Sequence, residues 1–78
     1  NYSLYPNPSD DRVTVKAHNR MIQGITLFNA SGQQVLEPVM NSPQESITIS
    51  TEHLATGIYL LQVQSSISTD IVRLVVSH

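Results

Sequence analysis

The 78-residue chain has no cysteine and no tryptophan, only three glycines, and only 13% charged residues. Without cysteine there are no disulfides and no thiolate metal sites, and no redox compartment can be inferred. Small exported domains commonly rely on such staples, so this one must stand on its apolar core. Basic residues are also scarce: four against six acidic ones, a net charge of −2. That balance excludes a nucleic-acid partner, whose affinity comes mostly from neutralised phosphates. Long apolar runs are missing too. The longest, Ile58-Tyr59-Leu60-Leu61, is far below the roughly 18 residues of a membrane-spanning helix. The opening Asn1-Tyr2-Ser3 has neither the basic nor the apolar region of a signal peptide. The chain reads as a piece of a longer protein.

What is present is alternation with a period of two. Val13 and Val15 alternate with Thr14 and Lys16, and Ile47 and Ile49 with Thr48 and Ser50. Tyr59, Leu61 and Val63 alternate with Leu60, Gln62 and Gln64, and Val72, Leu74 and Val76 with Arg73 and Val75. Each run has the pattern of a strand with one buried face, and its β-branched residues favour strand over helix. The spacing predicts strands near 3–5, 12–17, 22–29, 33–40, 45–50, 57–65 and 69–76. Breaks fall between them at 18–20, Asn29-Ala30-Ser31-Gly32, 41–43 and 65–68. Gly32 suits a left-handed turn position. In the connection 51–57, Thr51 could cap one helical turn and Gly57 end it. About seven short, mostly antiparallel strands predict an all-β fold, an immunoglobulin-like β-sandwich forming one domain over 1–78. Residues 1–8 are the lead-in, with Tyr5-Pro6-Asn7-Pro8, and 9–78 the sandwich. The two prolines remove donors and predict an extended, unpaired backbone there.

Chemistry is hard to find. The histidines are His18, His53 and His78, none at the spacing of a metal pair, and no Gly-Xaa-Ser-Xaa-Gly elbow is present. Asp10-Asp11 is an isolated acidic pair. Calcium wants about six or more oxygen ligands, and no acidic loop supplies them, so Asp10 is read as bonding a nearby turn. Three glycines cannot build a phosphate loop. Tyr59 shares a parity with Leu61 and Val63, which makes it core rather than a sugar-binding platform. The residues give a module with no catalytic site, cofactor or metal, one that works by being recognised or by spacing. An exposed strand edge is one physical route to recognition.

The order of motifs resembles a known family. Leu4-Tyr5-Pro6-Asn7-Pro8-Ser9 is followed by Arg12-Val13-Thr14-Val15. Ile25-Thr26-Leu27-Phe28-Asn29 leads through Gly32 to Val35, and Leu54-Ala55-Thr56-Gly57-Ile58-Tyr59 leads to the closing strand Val72-Arg73-Leu74-Val75-Val76. Together these resemble the type A C-terminal sorting domain of the type IX secretion system of Bacteroidetes. Arg73 stands where that family usually has lysine, and the chain ends in Val76-Ser77-His78 rather than in further basic residues.

The resemblance implies a non-catalytic secretion signal, attached to a passenger protein on its N-terminal side. The passenger would be in the periplasm in transit, then at the cell surface or outside the cell. Partners would be the outer-membrane translocon and a sortase-type protease that removes the domain. The terminal hairpin is the expected recognition surface, with Gly57, Tyr59, Arg73, Leu74 and Val76 as its residues. The other reading of those residues is that Gly57 and Tyr59 serve the fold and Arg73 is a solvated edge charge. The competing function is an immunoglobulin- or fibronectin-like structural or ligand-binding module of a surface protein.

Overall fold

A computed structural model describes residues 2–7, 10–38 and 40–78. Seven strands form two sheets: β1 (Tyr2–Tyr5), β2 (Arg12–Ala17), β3 (Ile22–Asn29), β4 (Gln34–Leu36), β5 (Ser46–Ser50), β6 (Gly57–Ser65) and β7 (Thr69–Val76). One sheet has the order β1-β2-β5 and the other β4-β3-β6-β7, with antiparallel neighbours throughout. The chain is the small all-β sandwich that the alternation predicts.

The core is the set of inward positions from both sheets. Val13, Val15 and Ala17 of β2 and Ile49 of β5 meet Ile22, Ile25 and Leu27 of β3, Tyr59, Leu61 and Val63 of β6, and Leu74 and Val76 of β7, all buried. Their partners in sequence, such as Lys16, Thr48, Leu60 and Arg73, are exposed. Period two in the sequence is thus one face in, one face out. The irregularity of β3 follows the same logic. Its register against β6 shifts between Ile22 and Gly24, and the shift lets Ile22 and Ile25, three apart in sequence, both point inward.

Three local expectations need correction. The strand expected over 33–40 is only Gln34–Leu36. Pro38 has no N–H to give to a ladder, pairing with β3 already shifts between Leu27 and Phe28, and Val39 lies outside the described residues. The connection 51–57 holds no helix, only a turn in which the Leu54 N–H donates to the Thr51 carbonyl at 3.1 Å. Thr51 is fully buried, and its N–H and hydroxyl donate to the backbone carbonyls of Asp11 at 2.8 Å and Asp10 at 3.1 Å. Its side chain therefore joins two loops instead of capping a helix. In the lead-in, Tyr5 still pairs with Thr14. The ladder stops only at Pro6, after a cis Tyr5–Pro6 peptide.

The turns are built from side-chain chemistry. Asn29 Oδ1 accepts from the N–H of Ser31 at 3.1 Å and of Gln33 at 2.9 Å, and from the Ser31 hydroxyl at 2.8 Å. Gly32 follows at φ +91°, the left-handed region that glycine enters without steric cost. Asn19, at φ 63°, makes the turn between β2 and β3, a position asparagine tolerates.

Candidate functional site

The terminal hairpin, β6 with β7, runs in unbroken register from Gly57↔Val76 to Gln64↔Thr69. Its turn is held by serines. Ser65 N donates to Ser68 O at 2.8 Å, and the Ser65 hydroxyl accepts from the N–H groups of Ile67 and Ser68. Alternation divides its side chains between two faces. Tyr59, Leu74 and Val76 lie in the core. Tyr59, 7% exposed, also donates its hydroxyl to the Ala55 carbonyl at 2.6 Å, tying the 51–57 connection to the start of β6.

Gly57 and Arg73 lie nearer the surface. Gly57 opens β6 without a positive φ, and a Cβ built on it meets nothing within 4 Å. No turn requires its conformational freedom. Arg73 sits opposite Leu60 on the outer face of the sheet. Around it are three apolar side chains that sequence reasoning did not single out: Ile58 at 44%, Leu60 at 38% and Ile71 at 58% exposure. Their signal was present, since even positions of β6 and odd positions of β7 share the outward parity of Arg73.

The lead-in is tied to this hairpin at both ends. Arg20 lies over the Tyr2 ring, 5.7 Å from its centroid, donates to the Ser68 hydroxyl at 3.2 Å and approaches Asp70 at 3.8 Å. At the other end, Asn7 Oδ1 accepts from the Val75 N–H at 3.2 Å. Of the Tyr5-Pro6-Asn7-Pro8 motif, Tyr5 and Pro6 are exposed, Asn7 holds β7, and Pro8 lies outside the described residues.

His78 makes a further tie. Its Nδ1 is 3.0 Å from the Asp10 carboxylate and its Nε2 is 2.7 Å from the Leu54 carbonyl. Both neighbours are acceptors, so both bonds form only when both ring nitrogens carry protons. The Asp10 hydrogen bond, then the Leu54 carbonyl, and the charges of Asp10 and Asp11 hold the imidazole pKa above its ordinary 6.5. Asp10 therefore meets a histidine side chain, a partner the sequence reading did not assign it.

Among the described residues no group of three or more His, Asp or Glu side chains could hold a metal. Two surface depressions among the described residues are shallow. One, about 300 Å³, is lined by polar groups such as Gln23, Glu37 and Gln64, and the other, about 380 Å³, by Asp11, Arg12, Thr48, Ser50 and Glu52. Neither contains a serine–histidine pair.

Fold and surfaces define a small two-sheet module that offers a hairpin, an edge strand and tied-down loops. The family model of the secretion system C-terminal sorting domain matches residues 3–77. The chain belongs to that family, the sorting domains of type IX secretion. The family is one of sorting signals rather than of known catalysts. Membership implies a C-terminal signal for export across the envelope, a passenger on its N-terminal side and interaction with the secretion system. No curated protein matches the chain.

Proposed function

We propose that this domain carries a periplasmic passenger across the outer membrane by presenting its folded terminal hairpin to the type IX translocon, and that a sortase-type protease at the surface then removes it. The observation that carries this reading is the family match over residues 3–77. The hairpin is favoured as the surface because it places Arg73 among exposed apolar side chains on one face. Of the expected recognition residues, Arg73 makes direct contact, joined by Ile58, Leu60 and Ile71, while Gly57, on the parity of Tyr59 and opposite Val76, opens the strand. Tyr59, Leu74 and Val76 act from beneath by holding both strands in register. The signal has no catalytic activity of its own; it is the protease's substrate.

The test fuses residues 1–78 to the C-terminus of a periplasm-targeted fluorescent protein, in a host with a working type IX system. Surface and medium fluorescence are compared with the same host lacking the translocon. Translocon-dependent export is expected. Retention of a folded fusion in the periplasm, while a sorting domain native to that host exports, would favour the structural-module reading. Within an exported fusion, Arg73→Glu is expected to lower export without unfolding the domain. Full export of that variant would remove charge from the recognition.

A further inference from the structure

The outer edge of β7 is a row of backbone groups with one position already occupied. Ser65 and Ser68 form the bonded pair that closes the hairpin. Counting along the antiparallel ladder from that pair, residues 70, 72, 74 and 76 turn their N–H and C=O groups toward β6. Residues 69, 71, 73 and 75 turn theirs outward. Val75 fixes the same phase from the other end, because its N–H donates to Asn7 Oδ1 at 3.2 Å. No strand follows β7 in its sheet. The Asn7 amide oxygen thus stands where the carbonyl of an added strand would stand.

Among the described residues none bonds the outward backbone groups from Thr69 to Arg73. Ile71 and Arg73 are exposed, and their side chains lie on the outer face beside Gln62 and Leu60. Among the described residues Arg73 has no acidic partner; the ion pairs are Arg20–Asp70 and His78–Asp10. A cation at mid-edge discourages pairing with a second copy centred on it, since two guanidinium groups would face each other. The same cation selects a foreign strand that brings a carboxylate.

We propose that the β7 edge between Thr69 and Arg73 is a strand-addition site for an extended segment of the export machinery. That segment places an acidic side chain opposite Arg73 and apolar ones beside Ile71 and Leu60. Asn7 sets the limit of the site by filling the next position. This assignment rests on the sorting function above and specifies how the hairpin is read: through main-chain hydrogen bonds, with side chains giving selectivity.

The experiment uses the exported fluorescent fusion and the variants Ile71→Pro and Ile71→Thr. Proline at 71 deletes an outward N–H and leaves the β6–β7 bonds in place, since an edge strand tolerates proline where its N–H faces out. Threonine keeps the N–H and removes the apolar side chain. Strand addition predicts that Ile71→Pro lowers export about tenfold or more, through a lost main-chain bond and a ring in the partner's path. Ile71→Thr, which loses the side-chain contact and keeps the main-chain bond, should lower export by a clearly smaller factor than Ile71→Pro. Equal export of a folded Ile71→Pro variant overturns the proposal while leaving the sorting function intact, whereas failure of the parent fusion to export overturns both. If melting shows Ile71→Pro unfolded, Thr69→Pro, at the next outward position, takes its place with the same two outcomes. Sedimentation of the purified domain provides the last arm: a dimer abolished by the proline variant would make the occupant a second copy and overturn the assignment.

Discussion

Replacing Tyr59 separates a recognition role from a structural one. Its ring is buried between the sheets and its hydroxyl donates to Ala55 O at 2.6 Å. Tyr59→Phe removes that bond and keeps the ring. Ala55 is exposed, so its freed carbonyl can take a water, and the loss belongs at the low end, about 0.5–1 kcal/mol. For a domain this size each kcal/mol moves the melting temperature by about 4–8 °C, so the expected fall is about 2–8 °C. Tyr59→Ala removes the ring as well and should cost about 3–5 kcal/mol, as large-to-small aromatic substitutions do. At the usual ~0.05–0.15 kcal/mol per residue, the whole domain has roughly 4–12 kcal/mol, so the alanine variant is at or near the edge of folding. Urea and thermal unfolding followed by circular dichroism measure both variants, and the fusion assay measures their export. A phenylalanine variant that melts like the parent would refute the claim that the Ala55 bond ties the connection to β6. A phenylalanine variant that stays folded but is not exported would refute the structural role, because the machinery would then be reading the hydroxyl itself.

Three further outcomes follow from the geometry. Gly57→Ala should leave the melting temperature unchanged or raise it, by up to about 1 kcal/mol of stability, because the folded backbone accepts a Cβ there and alanine restricts the unfolded chain. Gly32→Ala, at φ +91°, should lower stability by about 1–2 kcal/mol, and a reversed order of the two in thermal melting would contradict this account of the turns. The contact of His78 with Asp10 and Leu54 should depend on pH. The folded pKa is raised above 6.5, so its stabilisation is complete below that value and is lost as pH rises through the folded pKa. An NMR titration should find the His78 imidazole pKa above 6.5 and returning toward it in Asp10→Asn; an unshifted value in the parent would show that the contact does not form in solution.

Strand positions were legible because burial imposes parity. A one-residue slip in β2 would turn Val13 and Val15 out and Thr14 in, so the alternation specifies the strand before any partner is known. Turn chemistry was legible for the same local reason: Asn29 and Gly32 carry their conformations in their own side chains. What periodicity cannot carry is partnership. Nothing in the run 12–17 says that β1 and β5 flank it while β3 joins the other sheet. β4 was expected over 33–40 and found only at Gln34–Leu36, because nothing in the alternation marks where Pro38 and the shifted pairing with β3 end it. Arg20, Asn7 and His78 were read as turn and terminal residues, because their partners Ser68, Val75 and Asp10 are 48, 68 and 68 positions away.

Those three long-range ties bear on how a small sandwich can serve as a signal. A β-sandwich without disulfides has two open edges per sheet, and each is a risk of indiscriminate pairing. Here the lead-in contacts the β6–β7 hairpin from both ends, through Arg20 with Tyr2 and through Asn7 with Val75. Among the described residues nothing pairs with the outer edge at the middle of β7, where Arg73 stands. Closing this edge completely would leave nothing of the β7 main chain for a partner strand to pair with. Leaving it fully open would let any strand compete. Covering the ends and charging the centre narrows the accepted partners to a short segment of opposite charge. Arg73→Thr therefore separates the two functions of that charge. It should keep the domain folded, weaken translocon-dependent export of the fusion, and increase self-association of the purified domain in sedimentation. An Arg73→Thr domain that remains monomeric at every accessible concentration would show that the cation does not guard the edge.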